Sequence, residues 1–258
     1  MVVLALCGGL LAIVSKDPVT AGSVATSGAK RLVSTCPASL PDPITALPHT
    51  QAALKAGMPV VIVAFGSSST QGSMSSAAGH TYPAELQEAL NEGLPQAHMA
   101  VINRGIGGQD APEELARLQS DVIAIRPQLV IWQVGSNGAM RGADPDMFRR
   151  QVTQGVERLH AAGADVILMD NQRSPAVLAA PEHAVIEREL AEVAQATGAS
   201  LFSRSALMDY WREEGAPYEW FVSADGLHHN DLGYRCVARA LAVSIETGLS
   251  NRVMASSH

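Results

Sequence analysis

From residue 58 onward the chain alternates short apolar runs with segments whose apolar residues recur at helical spacing, and that alternation allows few architectures. The apolar runs are Pro59 to Phe65, Met99 to Asn103, Leu129 to Val134, Val166 to Met169 and Ser200 to Ser203. Short, nearly continuous apolar runs are the pattern of strands buried on both faces. Between them lie helices with legible ends. Asp110-Ala-Pro-Glu113 supplies an acidic cap, an early proline and a glutamate at the third position, and Pro127 closes the segment. Asp144-Pro145 opens a second helix, in which Phe148, Val152, Val156 and Leu159 share one face before Gly163. A third buries Ile186, Leu190 and Val193 and ends at Gly198. Strands alternating with helices of this length predict βαβ units: a single α/β domain with a mostly parallel five-stranded sheet covered on both faces.

Composition narrows the function classes. Hydrophobic residues make up 47% and charged residues 17% of the 258 residues, the balance of a globular chain. The formal net charge is -7 with no Lys/Arg cluster, which argues against a nucleic-acid-binding face. At the N-terminus, Val2 to Val14 is apolar apart from Cys7, Gly8 and Gly9, too short to span a membrane comfortably, and a small-residue polar stretch follows from Lys16 to Lys30. This resembles a secretory signal cleaved near Ala21 or Ala25, although no Lys or Arg precedes the apolar run. Residues 1–25 are therefore expected to be a signal, giving a periplasmic or secreted protein with no stable membrane insertion of the mature chain. The alternative is an N-terminal helix of a cytoplasmic protein. Residues 26–57, with Pro37, Pro41, Pro43 and Pro48, are expected to form an extended arm, and residues 58–250 the domain. Cys7, Cys36 and Cys236 match no zinc or redox spacing. Cys236 falls on the inward face of a helix beginning near Asp231, and Cys36 is either its disulfide partner in an oxidising compartment or leaves it a buried thiol.

The unusual residues gather where strands end, which is where parallel α/β sheets keep their functional groups. After the first strand comes Phe65-Gly-Ser-Ser-Ser-Thr-Gln-Gly72. A serine on a strand-to-helix turn sits near free N–H groups that favour an oxyanion, though the same segment also reads as a polar cap. After the second comes Asn103-Arg-Gly-Ile-Gly-Gly108, a glycine turn without full GxGxxG spacing. After the third comes Gly135-Ser-Asn-Gly138. Last is Asp225-Gly-Leu-His228, a carboxylate able to reach an imidazole on one short turn and hold its tautomer. His229 competes for the role of base.

In order and position, these four motifs resemble those of the SGNH (GDSL-type) hydrolases, over roughly residues 58 to 246. The resemblance implies a three-layer α/β/α fold with a flavodoxin-like sheet. It implies Ser68 as nucleophile, His228 as base, Asp225 as its orienter, and an oxyanion hole from the N–H groups of Ser68 and Gly105 with the side-chain amide of Asn137. No metal or organic cofactor is implied. Two positions depart from the family pattern: Ser67 stands where aspartate is usual before the nucleophile, and Gly138 where aspartate often follows the asparagine. Ser67 and Ser69 are alternative nucleophiles, and register with the family's serine motif favours Ser68. No G-x-S-x-G elbow, P-loop or HExxH motif occurs, and His49, His80, His98, His160 and His183 form no metal-ligand spacing.

The expected reaction is serine carboxylester hydrolysis, with acetyl or short acyl groups removed from carbohydrate or small esters. The alternatives are a lipase, thioesterase or acyltransferase with the same triad, or a non-catalytic carbohydrate-binding relative. Tyr218-Glu-Trp220-Phe221 reads either as an aromatic wall or as loop packing, and the Gln71 to His80 loop as a cover or a disordered segment.

Overall fold

The structure is a computed structural model, and it describes residues 35–38, 44 and 47–250. The expected signal over residues 1–25 lies outside the described residues.

The first element, α1 (Pro48–Lys55), corrects the expectation of an extended arm through residue 57. Its proline occupies the first turn, where a missing N–H costs nothing. The carboxylate of Asp165 takes the N–H groups of His49 and Thr50 and the Thr50 hydroxyl, so the helix start is capped from the neighbouring sheet. Ile44, Leu47 and Ala53 are buried in the core, making this segment part of the domain.

The remaining order is β1 (Val60–Gly66), α2 (Ser68–Gln71), α3 (Tyr82–Gly93), β2 (Met99–Gly105), α4 (Ala111–Asp121), β3 (Leu129–Gln133), α5 (Ser136–Arg141), α6 (Pro145–Ala161), β4 (Asp165–Met169), α7 (Pro175–Leu178), α8 (His183–Thr197), β5 (Ser200–Phe202), α9 (Arg204–Glu213) and α10 (Asp231–Ser250), with short 3-10 turns between some of them. Among the described residues the strands form one sheet in the order β2-β1-β3-β4-β5, every pair parallel. Side chains alternate across it. Val60, Ile62, Ala64, Leu129, Ile131 and Ile167 pack under α3, α9 and α10, while Val63, Phe65, Val130, Trp132, Val166 and Leu168 pack under α4, α6 and α8. The result is the three-layer α/β/α arrangement.

The helix signals work as the sequence implies. Asp110 and Glu113 form a reciprocal capping box at α4, and Asp144 accepts the N–H of Met147 at 2.7 Å to cap α6. Glu114, inside α4, is wholly buried against Trp132, whose indole N–H donates to it at 2.7 Å. Burial pushes its carboxyl up to about 8, against the lowering effect of the Trp132 bond, so it is neutral near pH 7.

Cys36 and Cys236 form a disulfide, with Cα atoms 5.1 Å apart. It ties the N-terminal segment to α10, the helix that follows the Asp225–His228 turn. Because the bridge closes a loop of 200 residues, Cys36→Ala should lower the free energy of unfolding by about 2–4 kcal/mol. Urea denaturation with and without reductant checks this: reductant should weaken the wild type and leave the variant unmoved.

Candidate active site

Strand register assembles the site. Gly66, at the end of β1, pairs with Gly105 of β2 on one side and Gln133 of β3 on the other, so the turns that follow these strands emerge side by side. Gly66 has φ +152°, and a Cβ there would lie 2.6 Å from the Gln133 carbonyl oxygen. Only glycine permits so close a turn into α2. The Gln133 side chain then secures that turn, its Oε1 accepting from the Ser67 N–H at 3.2 Å, the Ser67 hydroxyl at 3.0 Å and the Thr70 hydroxyl at 3.1 Å.

That bonding separates the three adjacent serines. Ser67 and Ser69 are buried, and the hydroxyl of Ser67 is committed to Gln133, whereas Ser68 is half-buried. Ser68 Oγ lies 2.8 Å from His228 Nε2. On the far side of the ring, Nδ1 lies 2.6 Å from Asp225 Oδ2. An ionised Asp225 accepts a hydrogen bond from Nδ1–H, leaving Nε2 unprotonated and free to accept from the Ser68 hydroxyl.

Asp225 is itself held firmly. Its Oδ1 accepts from the Ser223 hydroxyl at 2.6 Å and from the N–H groups of Leu227 and His228 at 2.9 and 3.0 Å. Burial acts to raise its pKa, but the bonds from Ser223, His228 and the two backbone groups outweigh it and hold the carboxyl well below the usual carboxylate range. His229 has no access to Ser68's hydroxyl: it is fully buried and its Nδ1 donates to the Phe221 carbonyl at 3.0 Å. Burial, and then the charge of Arg204, lower its pKa to about 3, so it stays neutral.

Asn137 follows β3 at the start of α5, and its Nδ2 donates to the Gln109 carbonyl at 2.7 Å, leaving its second amide hydrogen available. Gly105 behaves otherwise than expected. Its N–H is donated to its neighbour's side chain, Asn103 Oδ1, at 2.8 Å and is not open to a ligand. Glycine is needed there for contact: a Cβ would sit 2.0 Å from the Gln71 nitrogen, because β2 packs directly on the backbone of α2. The turn's unpaired donors lie further on. The N–H groups of Ser68, Gly107 and Gly108 have no acceptor among the described residues, and a Cβ on Gly107 would lie 3.8 Å from the Ser68 Cβ. The signal was present in the sequence, since the same Asn103-to-Gly108 segment holds three glycines and only strand pairing reveals which one the sheet has absorbed.

Around this centre, the Gln71 to His80 loop is pinned to the start of α10. Asp231 accepts from the Ser76 N–H at 2.8 Å, and its other oxygen lies 3.0 Å from His80 Nδ1. The aromatic segment divides. Phe221 is buried against Trp211, with ring centroids 4.6 Å apart, while Tyr218 lines a cavity of about 360 Å³ with Pro175, Leu178, Val222 and Ser223. The departure at Gly138 is also structural: a Cβ there would stand 3.3 Å from that of Ala143, so the helix start leaves little room for a larger side chain. Among the described residues no group of His, Cys, Asp or Glu side chains is arranged to hold a metal ion, and no helix is long and apolar enough to cross a membrane.

The fold is the three-layer α/β/α arrangement that the SGNH resemblance implies. The model of the non-GDSL lipase-like family matches residues 33–251, and the chain belongs to that family. Among curated proteins it is 28% identical over 128 residues to esterase TesA of Pseudomonas aeruginosa, covering 50% of this chain and 60% of that protein. It is 30% identical over 74 residues to thioesterase 1/protease 1/lysophospholipase L1 of Escherichia coli K12, covering 29% of this chain and 36% of that one. The chain thus spans between 36% and 60% of the length of these curated relatives. Among solved structures, a two-domain esterase active on acetylated mannans, co-crystallised with mannopentaose, superposes with TM-score 0.69 at 22% identity, covering 83% of this chain and 57% of that one. Axe2, an acetylxylan esterase from Geobacillus stearothermophilus, superposes with TM-score 0.60 at 18% identity, covering 75% and 95%. At these identities the structural likeness is one of fold.

Proposed function

We propose that this protein is a serine carboxylester hydrolase that works through an acyl-enzyme on Ser68. The observation that carries the reading is the unbroken line from Asp225 through His228 to Ser68, with contacts of 2.6 and 2.8 Å. In the first step Ser68 Oγ attacks the ester carbonyl, His228 Nε2 takes its proton, and Asp225 stabilises the imidazolium. The oxyanion is held by the Ser68 N–H, by the Gly107–Gly108 turn in place of Gly105, and by the Asn137 amide. His228 then returns the proton to the departing alcohol. In the second step it takes a proton from water, which attacks the acyl carbonyl; the tetrahedral intermediate then collapses, His228 returns that proton to Ser68 Oγ, and the acid and free Ser68 are released.

The preferred substrates are acetyl or other short acyl esters of carbohydrates or small alcohols. The acetylated-glycan esterases of the same fold support this reading. A second reading rests on the cavity beside Ser223, where Pro175, Leu178 and Val222 offer an apolar wall suited to a longer acyl chain. The Cys36–Cys236 disulfide supports residence in an oxidising compartment, periplasmic or extracellular.

The test is a series of p-nitrophenyl esters from acetate to palmitate. The short-acyl reading expects kcat/KM to peak at acetate to butyrate. A maximum at octanoate or beyond would replace it with the lipase or thioesterase reading, and no turnover of any ester would leave a binding relative.

A further inference from the structure

Directly after β4 the chain continues Asp170-Asn171-Gln172, and all three are buried, with relative exposures of 3%, 1% and 1%. A buried polar run is costly unless every group finds a partner, so what these side chains hold is informative. Asp170 accepts from the hydroxyls of Ser203 and Ser205 at 2.8 and 2.6 Å and from the Ser205 N–H at 2.9 Å, which fixes the start of α9. Beside it lies Arg204, wholly buried. Its guanidinium donates to the Asp170 carbonyl from Nε at 3.2 Å and from one terminal nitrogen at 2.8 Å, and that same nitrogen reaches Gln172 Oε1 at 2.7 Å.

This arrangement orients the Gln172 amide. Arginine only donates, so Oε1 has to face it, and Nε2 is turned the opposite way. Nε2 donates to the Leu227 carbonyl at 2.9 Å, and Leu227 lies between Asp225 and His228. Oε1 also lies 3.2 Å from the Ser136 hydroxyl, which shares its one hydrogen between Gln172 and Asn171 Oδ1 at 3.0 Å, and Ser136 immediately precedes Asn137. A single side chain therefore touches the neighbour of the base and the neighbour of the amide donor. A buried arginine bonded to neutral oxygens is an expensive way to fill a core, where apolar packing often serves as well. What it supplies is direction.

We propose that Gln172 is a positioning residue for the reaction proposed above, on which this inference rests: its amide, locked by Arg204, braces the Asn137 turn and the Asp225–His228 turn at a fixed separation. It touches no reacting atom. It acts by holding His228 Nε2 and the oxyanion donors in register around one carbonyl.

Two variants test it. Gln172→Met keeps the shape and removes every hydrogen bond. Gln172→Glu keeps the oxygens that face Arg204 and Ser136 and replaces only the donor to the Leu227 carbonyl. Both should lower kcat on p-nitrophenyl acetate by roughly 10- to 100-fold with KM changed by less than about threefold, since small misplacements of a catalytic group cost rate rather than binding. Purely structural damage would instead lower the fraction of folded enzyme, so kcat is referred to folded protein measured by circular dichroism. If the Met variant does not fold, the Glu variant carries the test through its ion pair with Arg204. A readout independent of turnover is the His228 Nδ1–H proton resonance, which reports the bond to Asp225. It should be present in the wild type and shift or broaden in both variants. Full kcat with an unmoved resonance in the Glu variant would overturn the brace. A wild type with the resonance but no ester turnover would instead sink the hydrolase reading.

Discussion

Ser68→Ala is expected to abolish ester hydrolysis, by about 10⁴-fold or more, with the fold intact. The substitution removes one hydroxyl from the first residue of α2, a position where alanine is well tolerated. The neighbouring serines offer no rescue: Ser67 Oγ donates to Gln133 within the buried turn, and Ser69 is 2% exposed. His228 remains beside the site in the variant, so residual hydrolysis reports what the imidazole and the oxyanion donors achieve with water alone. Steady-state kinetics and a thermal melt of the same preparation measure both halves of the expectation. Activity retained within about tenfold of wild type would exclude Ser68 as the nucleophile.

Asn137→Ala should have the next largest effect, lowering kcat by roughly 10²- to 10³-fold with a smaller change in KM. An oxyanion donor matters most when negative charge has developed on the carbonyl oxygen, so its loss falls on the transition state. One hydrogen of the amide is already held by the Gln109 carbonyl at 2.7 Å, which orients the group before any substrate arrives. Asn137→Asp releases that carbonyl as alanine does, since a carboxylate cannot donate to it. It places an acceptor where the oxyanion needs a donor and should be at least as damaging. An unchanged kcat in the alanine variant would remove Asn137 from the mechanism.

The strands and helix ends were legible because they depend on local chemistry. The apolar runs are strands to within a residue or two, buried except for β2, which lies at the sheet edge with only Met99 buried, and the Asp110 and Asp144 caps act where the acidic-proline signals stand. Three helices carried weaker signals. Proline at Pro48 reads as a helix breaker until it is seen at the first turn of α1. The α3 segment mixes Tyr82, Leu86 and Leu90 with charged residues behind a glycine- and serine-rich loop, and α9 carries a buried Arg204 on its inner face. Local periodicity says little about a helix whose inward face includes a charge.

Within the site, Ser68 and Asn137 stood out because each follows a strand end, and Asp225 and His228 because a carboxylate and an imidazole share one short turn ahead of α10. Choosing among Gly105, Gly107 and Gly108 required the β1–β2 register, a tertiary fact. The Gln172 brace was hidden for a different reason. Asp170-Asn-Gln-Arg173 reads as a polar loop, and only its burial beneath α9 and the Asp225–His228 turn turns those side chains into structural partners. A polar run directly after a buried parallel strand was the available clue.

The central claim is that Ser68 is the activated nucleophile of a serine hydrolase, and covalent labelling tests it most directly. The native protein is incubated with a fluorophosphonate, digested, and the modified residue located by mass spectrometry. A single adduct on Ser68 is expected, absent from Ser68→Ala and formed far more slowly in His228→Ala. An adduct on Ser67 or Ser69, or an esterase that resists labelling altogether, would contradict it.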